Sequence, residues 1–151
     1  MANRSQPDAA PARTLAGELA PRLSRLVRLV REGQGVSRTQ LSLLTSLRDA
    51  GPQRITALAA SEHVTQPAMT TLVSRLEREE WVVRQADPSD RRAVQVVLTA
   101  EGREALAGLT AAAVDRLAGR IAALTPAERK RLEASLPLID RLLETERRGA
   151  K

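Results

Sequence analysis

Residues 64–98 read VTQPAMTTLVSRLEREEWVVRQADPSDRRAVQVVL, and along this stretch the apolar period changes once, from that of a helix to that of a strand. Thr65 stands where a hydroxyl can cap a helix, and Pro67 follows in the first turn, where a missing N–H costs nothing. Ala68, Leu72 and Leu76 recur at intervals of four, with Met69 and Val73 alongside, which predicts a helix with one buried side. Gln66, Thr70, Thr71, Ser74, Arg75 and Arg78 are left facing outward. From Trp81 the pattern alternates: residues 81–85 and 93–98 read as strands. Between them Asp87-Pro88-Ser89-Asp90-Arg91-Arg92 is rich in turn formers, so the prediction is a β-hairpin with a charged tip.

Upstream, Thr56 opens a short helix carrying Ala57, Leu58 and Ala60, and His63-Val64 forms the turn. Two helices joined by so short a turn have the spacing of a helix-turn-helix, whose second helix enters the major groove of DNA. The outward side chains suit that task. Gln66 can pair with a base edge or a phosphate, Thr65, Thr70 and Ser74 with either, and Arg75 with a phosphate or a guanine. Backbone N–H groups at the helix start favour a phosphate. Thr65, Gln66, Pro67, Thr70, Thr71, Ser74 and Arg75 are therefore the expected duplex-facing set. Arg91 and Arg92 suit the negative minor groove, with Asp90 placed to hold one of them in a fixed pose. Taken singly, each feature reads more plainly as a solvated face or a solvated turn. Taken in this order, they gather on one surface.

The flanks are helical in pattern. Residues 1–12 are polar and rich in Ala and Pro, and are expected to form a disordered arm. Leu15, Leu19, Leu23, Leu26, Val27 and Val30 then repeat at three and four, with Pro21 inside the pattern and Gly33-Gln34-Gly35 ending it. Ser37 and Gln40 form a capping box for the next helix, which Leu41, Leu44 and Leu47 bury and Gly51-Pro52 stops. Residues 53–55 read as a very short strand. Thr99 caps a long helix with Leu106, Leu109, Ala113, Leu117, Ile121 and Leu124 on one stripe. Thr125-Pro126-Ala127-Glu128 starts the last helix, where Pro137 predicts a kink. These outer helices carry more apolar surface than one small domain buries, and a second copy is the expected cover. Leu15, Leu19, Ile121, Leu132, Leu136, Ile139 and Leu143 are the expected dimerisation residues. The organisation is thus an arm over 1–12, helical dimerisation segments over 13–35 and 100–148, and a DNA-binding module over 37–99. A two-fold dimer would read an inverted repeat with its reading helices roughly 34 Å apart.

Composition narrows the chemistry. Among 151 residues, 24 Lys and Arg exceed 18 Asp and Glu, for a net charge of +6, which favours a polyanionic partner. The absence of cysteine excludes a disulfide scaffold and a thiol sensor. His63 is the lone histidine, so no protein metal site is expected. One Trp and no Tyr or Phe leave no stacking platform for single strands, which points to duplex DNA. No nucleophile–base pair, phosphate-cradling loop or placed carboxylate pair is visible, so neither catalysis nor a cofactor is expected. No apolar run is long enough to span a bilayer, no membrane partner is expected, and the cytoplasm is the expected location.

The segment from Gly51-Pro52 to Leu106 resembles the multiple-antibiotic-resistance-regulator (MarR) family. The resemblance is carried by Ile55-Thr56-Ala57-Leu58-Ala59, by Val64-Thr65-Gln66-Pro67-Ala68-Met69-Thr70, and by Leu76-Glu77-Arg78. The most specific part is Asp87-Pro88-Ser89-Asp90-Arg91-Arg92-Ala93 followed by Val96-Val97-Leu98-Thr99-Ala100-Glu101-Gly102. It implies a mainly α fold with a small β-hairpin wing, a winged helix-turn-helix with helical dimerisation ends. It also implies a wing pair of Asp90 and Arg92, with Arg92 in the minor groove. By the same resemblance the protein is a homodimeric repressor whose DNA affinity falls when a small effector binds between the dimer helices and the reading module. In this family such effectors include phenolic and other aromatic acids; nothing in the sequence identifies one here. Arg28 and Arg31 are either partners for an anionic ligand or solvated arginines. The chain departs from the family at Glu80, where glycine is common before the second strand. Trp81 is expected as a core plug beneath the wing. Two alternatives stay open from residues alone: a winged-helix protein-interaction module without DNA binding, and a small enzyme.

Overall fold

The computed structural model describes residues 9–88 and 90–148, and only the backbone of Ala9, Arg91, Arg92 and residues 145–148. Along the chain run α1 (Ala9–Arg31), α2 (Arg38–Ala50), β1 (Gln53–Arg54), α3 (Ile55–Ser61), α4 (Gln66–Arg78), β2 (Val82–Asp87), β3 (Asp90–Leu98), α5 (Ala100–Ala122) and α6 (Pro126–Arg148). The order is the one the sequence patterns predict, and the architecture is a winged helix-turn-helix. Two compact units divide it, Met1–Ala112 and Ala113–Lys151, with α5 passing from one to the other.

In the first unit, α1 starts at Ala9, so residues 9–12 are helical where an arm was expected, and Pro21 lies inside the helix. The Ser37 capping box forms as read: Gln40 N–H donates to Ser37 Oγ at 3.1 Å, and Ser37 N–H donates to Gln40 Oε1 at 2.8 Å. The three strands form an antiparallel sheet in the order β1-β3-β2. Gln53 pairs with Val96 and Arg54 with Gln95. The hairpin pairs Val82 with Leu98 through Ala86 with Val94, then Asp87 with Asp90 after an irregularity at Ala86/Asp87. The strands thus run closer to the tip than the alternating pattern predicted.

The core of this unit draws on α2, α3, α4, the hairpin and α5: Leu43, Leu44 and Leu47 of α2, Leu58 and Ala59 of α3, Met69, Val73 and Leu76 of α4, Val82, Val96 and Leu98 of the hairpin, and Leu106 of α5. Half-buried Trp81 packs against this cluster, as expected of a plug. One correction concerns α4. Its buried stripe is Met69, Val73 and Leu76, with Leu72 half-buried, while Ala68 is exposed. Ala68, Met69, Leu72, Val73 and Leu76 fit more than one stripe at helical spacing, and the helix buries the face with the greater volume.

The end of α4 explains how Glu80 stands in for glycine. Glu80 N–H donates to Glu77 O at 3.0 Å and Trp81 N–H to Leu76 O at 2.9 Å, which is the Schellman pattern. Glu80 itself takes the left-handed conformation, with φ 61°, and its carbonyl accepts from Thr99 Oγ1 at 2.6 Å. Gly102, in the first turn of α5, lies against the backbone of Trp81: a Cβ there would stand 2.0 Å from the Trp81 carbonyl oxygen.

The second unit holds the rest of α5 and α6. Thr125 and Glu128 cap α6 reciprocally, with Thr125 N–H and Oγ1 donating to Glu128 Oε2 at 2.8 and 2.7 Å and Glu128 N–H donating to Thr125 Oγ1 at 3.3 Å. Pro137 lies inside α6, which runs from Pro126 to Arg148 as one helix.

Candidate nucleic-acid interface

The side of α4 away from the core is polar because the side toward the core takes its apolar residues. Gln66, Pro67, Ala68, Thr70, Thr71, Arg75 and Arg78 are exposed. Opposite the Met69–Val73–Leu76 stripe, the 3.6-residue period centres the outward face on Pro67, Thr71, Ser74 and Arg78. Arg78 was read as outward but not counted among the duplex-facing residues. Ala68 was assigned to the core, and its methyl is exposed instead.

Hydrogen bonds decide what each group still offers. Thr65 Oγ1 accepts from Ala68 N–H at 3.4 Å, which leaves its hydroxyl hydrogen as a donor at the helix start. Thr70 and Thr71 donate their hydroxyl hydrogens back to Gln66 O at 2.9 Å and Pro67 O at 3.0 Å, so outward they present acceptors. Arg75 Nε donates to Glu79 Oε1 at 3.1 Å, a surface pair weak enough to exchange for a phosphate.

Ser74 lies on the outward face, as expected, but its hydroxyl is already engaged. It is half-buried, and its hydroxyl accepts from Arg84 Nη2 at 2.9 Å. Arg84, on β2, also donates to the Glu77 carboxylate and to Thr70 O at 3.4 Å. One guanidinium therefore straps the wing to the outward helix. Sequence reading missed Arg84 because its partners lie on another element.

At the wing tip, the side chains of Arg91 and Arg92 lie outside the described residues. Asp90 is exposed and approaches Arg54 Nη2 at 3.7 Å. Arg54 meets Asp87 more closely, with Nε and Nη2 at 2.8 and 2.7 Å from Oδ2. Asp87 is 2% exposed; the sequence reading placed it among the turn formers of the tip and Arg54 in the short strand, and gave neither a functional role. His63, at the turn before α4, has φ 53° and is exposed.

Of the expected dimerisation residues, Leu15 and Leu19 in the first unit are exposed, as are Leu132, Leu136, Ile139 and Leu143 in the second; Ile121 is half-buried. In the first unit an open groove of about 540 Å³ is lined by Leu23, Ser24 and Val27 and by the guanidinium-bearing side chains of Arg28, Arg31 and Arg38.

Comparison with known proteins places this geometry. The profile described as MarR family matches residues 36–94. The HTH-type transcriptional regulator Mb0904 of Mycobacterium bovis is 35% identical over 123 residues, 82% of this chain and 86% of that protein. The HTH-type transcriptional repressor MdtR of Bacillus subtilis is 36% identical over 51% of this chain and 52% of its own. The crystal structure of wild-type MarR from E. coli in its apo form superposes with a TM-score of 0.61 at 25% identity, covering 83% of this chain and 94% of that one.

Proposed function

The chain belongs to the MarR family of transcriptional regulators, and from that premise we propose that it is a repressor that binds an inverted repeat in duplex DNA as a homodimer and releases it when a small anionic ligand binds. The observation that carries the DNA reading is the polar, exposed face of α4 beside a wing in one compact unit. Gln66, Thr70, Thr71, Arg75 and Arg78 offer base-edge and phosphate contacts there, the helix start offers Thr65 and backbone N–H groups, and the hairpin offers Arg91 and Arg92 to the minor groove, with Asp90 in an orienting role. Repression is supported by the likeness to a relative named as a repressor.

The homodimer is supported by exposed apolar side chains on α1 and α6, among them Leu15 at 65% and Leu143 at 63% exposure. Such surface on two helices is costly in water and is recovered by a second copy. The ligand reading rests on the groove beside Leu23 and Val27. Its apolar wall and its arginines Arg28, Arg31 and Arg38 fit an amphipathic anion such as an aromatic carboxylate.

The test is selection of duplex DNA from a random-sequence pool by the purified protein, followed by footprinting. A protected inverted repeat, with half-sites about one helical turn apart, is expected. Sedimentation should give twice the 16.4 kDa chain mass, and Leu136→Asp should abolish dimer and DNA binding together. Recovery of no preferred duplex would overturn the regulator's DNA-reading role as proposed.

A further inference from the structure

We infer that Arg54 is a positioning residue for the wing: through Asp87 and Asp90 it sets where the hairpin tip stands beside the helix-turn-helix. The inference rests on the reading that the wing meets DNA. Arg54 occupies a joint, as the last residue of β1 and the residue preceding α3, and its side chain caps no backbone N–H there. β1 pairs with β3 only at Gln53–Val96 and Arg54–Gln95. Beyond Gln95 toward the tip, β2 is the one strand paired with β3 among the described residues. A two-stranded ribbon is marginal by itself, so the tip's direction depends on what its side chains hold.

The Arg54 guanidinium reaches across that gap. Two of its nitrogens stand 2.8 and 2.7 Å from Asp87 Oδ2, and Nη2 stands 3.7 Å from Asp90 Oδ2. The irregular register at Ala86/Asp87 is the kind of feature that re-aims a side chain, and the Asp87 side chain is only 3% exposed. A carboxylate so far removed from water needs a cation in a fixed geometry. Asp87 and Asp90 have further interactions besides these; Arg54, at the start of α3, is a partner that comes from the helix-turn-helix side. The pairing ties the start of α3 to the tip, and a wing arginine gains most when its delivery to the groove is pre-organised.

The experiment uses the full chain and a duplex that the unaltered protein selects from a random-sequence pool. Arg54→Ala is compared with Arg54→Lys and with Arg54→Ala/Asp87→Asn, which removes the cation without leaving a buried charge. Backbone amide exchange of residues 90–94 in the free protein should quicken about tenfold in Arg54→Ala and in the double variant, and affinity should fall about tenfold, both restored in large part by Arg54→Lys. Adding Arg92→Ala to Arg54→Ala should cost little beyond Arg92→Ala alone, because both act through the wing. Unchanged tip exchange in a folded Arg54→Ala/Asp87→Asn protein overturns the inference. So does full additivity with Arg92→Ala, which would place Arg54 on the DNA itself. Arg92→Ala with unaltered binding would instead overturn the wing's contact with DNA, while the exchange measurement still decides the role of Arg54.

Discussion

Arg84 on β2 donates from Nη2 to the Ser74 hydroxyl on α4 at 2.9 Å, so a serine on the outward helix serves the protein's own wing. The same guanidinium holds the Glu77 carboxylate, and Arg84 N–H donates to Glu77 Oε1 at 3.3 Å. With Ser74 so engaged, the proposed base reading rests on Gln66, Thr71 and Arg78. Gln66→Ala and Arg78→Ala should each reduce discrimination between selected and scrambled duplex by about 1–3 kcal/mol. Ser74→Ala should weaken both duplexes alike. Competition binding checks this; loss of one base preference in Ser74→Ala alone would put that serine in the groove.

Gly102→Ala should destabilise the protein by about 1–3 kcal/mol through overpacking. The added Cβ would lie 2.0 Å from the Trp81 carbonyl oxygen and 2.8 Å from Leu98 Cδ1, and a backbone oxygen on a packed seam has nowhere to go. Urea unfolding measures the effect. A variant as stable as the unaltered chain would mean that α5 stands further from Trp81.

Glu80→Gly should act in the opposite direction. At φ 61° an L-residue pays about 1–2 kcal/mol for the left-handed conformation, while glycine gives back about 0.4–1 kcal/mol through its freer unfolded chain. The net expectation is a gain of about 0.5–1 kcal/mol, increased by removing an acid from a helix C-terminus. A lower unfolding midpoint would mean that the Glu80 side chain has a favourable partner.

The α6 cap carries a pH signature. The Thr125 hydroxyl, and after it the Thr125 backbone N–H, hold the Glu128 carboxyl below its ordinary value of 4.5. A carboxyl with a depressed folded pKa stabilises the fold above its unfolded value and loses that contribution as pH falls through the folded one. Unfolding midpoints compared at about pH 7 and about pH 3 should therefore drop less in Glu128→Gln, which keeps a capping side chain but does not titrate. Equal drops in both proteins would remove Glu128 from the acid response.

Much of this was legible locally. Thr65 and Pro67, Ser37 and Gln40, and Thr125 and Glu128 act within one turn of chain, and the caps form where the sequence places them. The change of period after Glu80 located the hairpin. What stayed hidden was non-local. Ala68 and Met69 are neighbours in sequence, and which of them faces inward depends on the volume waiting in α2 and α3. Arg54 and Asp87 are separated by 33 residues, and each reads alone as a solvated charge. The pairing of Ser74 with Arg84 likewise needs the wing folded back on the helix before it exists.

Trp81 sits where α4 gives way to β2, half-buried, with its carbonyl taken by Thr99 N–H at 3.1 Å. It is the chain's single Trp, in a sequence without Tyr or Phe. Each chain therefore carries one intrinsic fluorophore, at the seam between the outward helix and the wing. Any duplex or ligand that tilts one against the other alters the polarity around that indole and shifts a single emission band, with no second chromophore to disentangle. The seam can be followed by stopped-flow fluorescence in the unaltered chain, without a label.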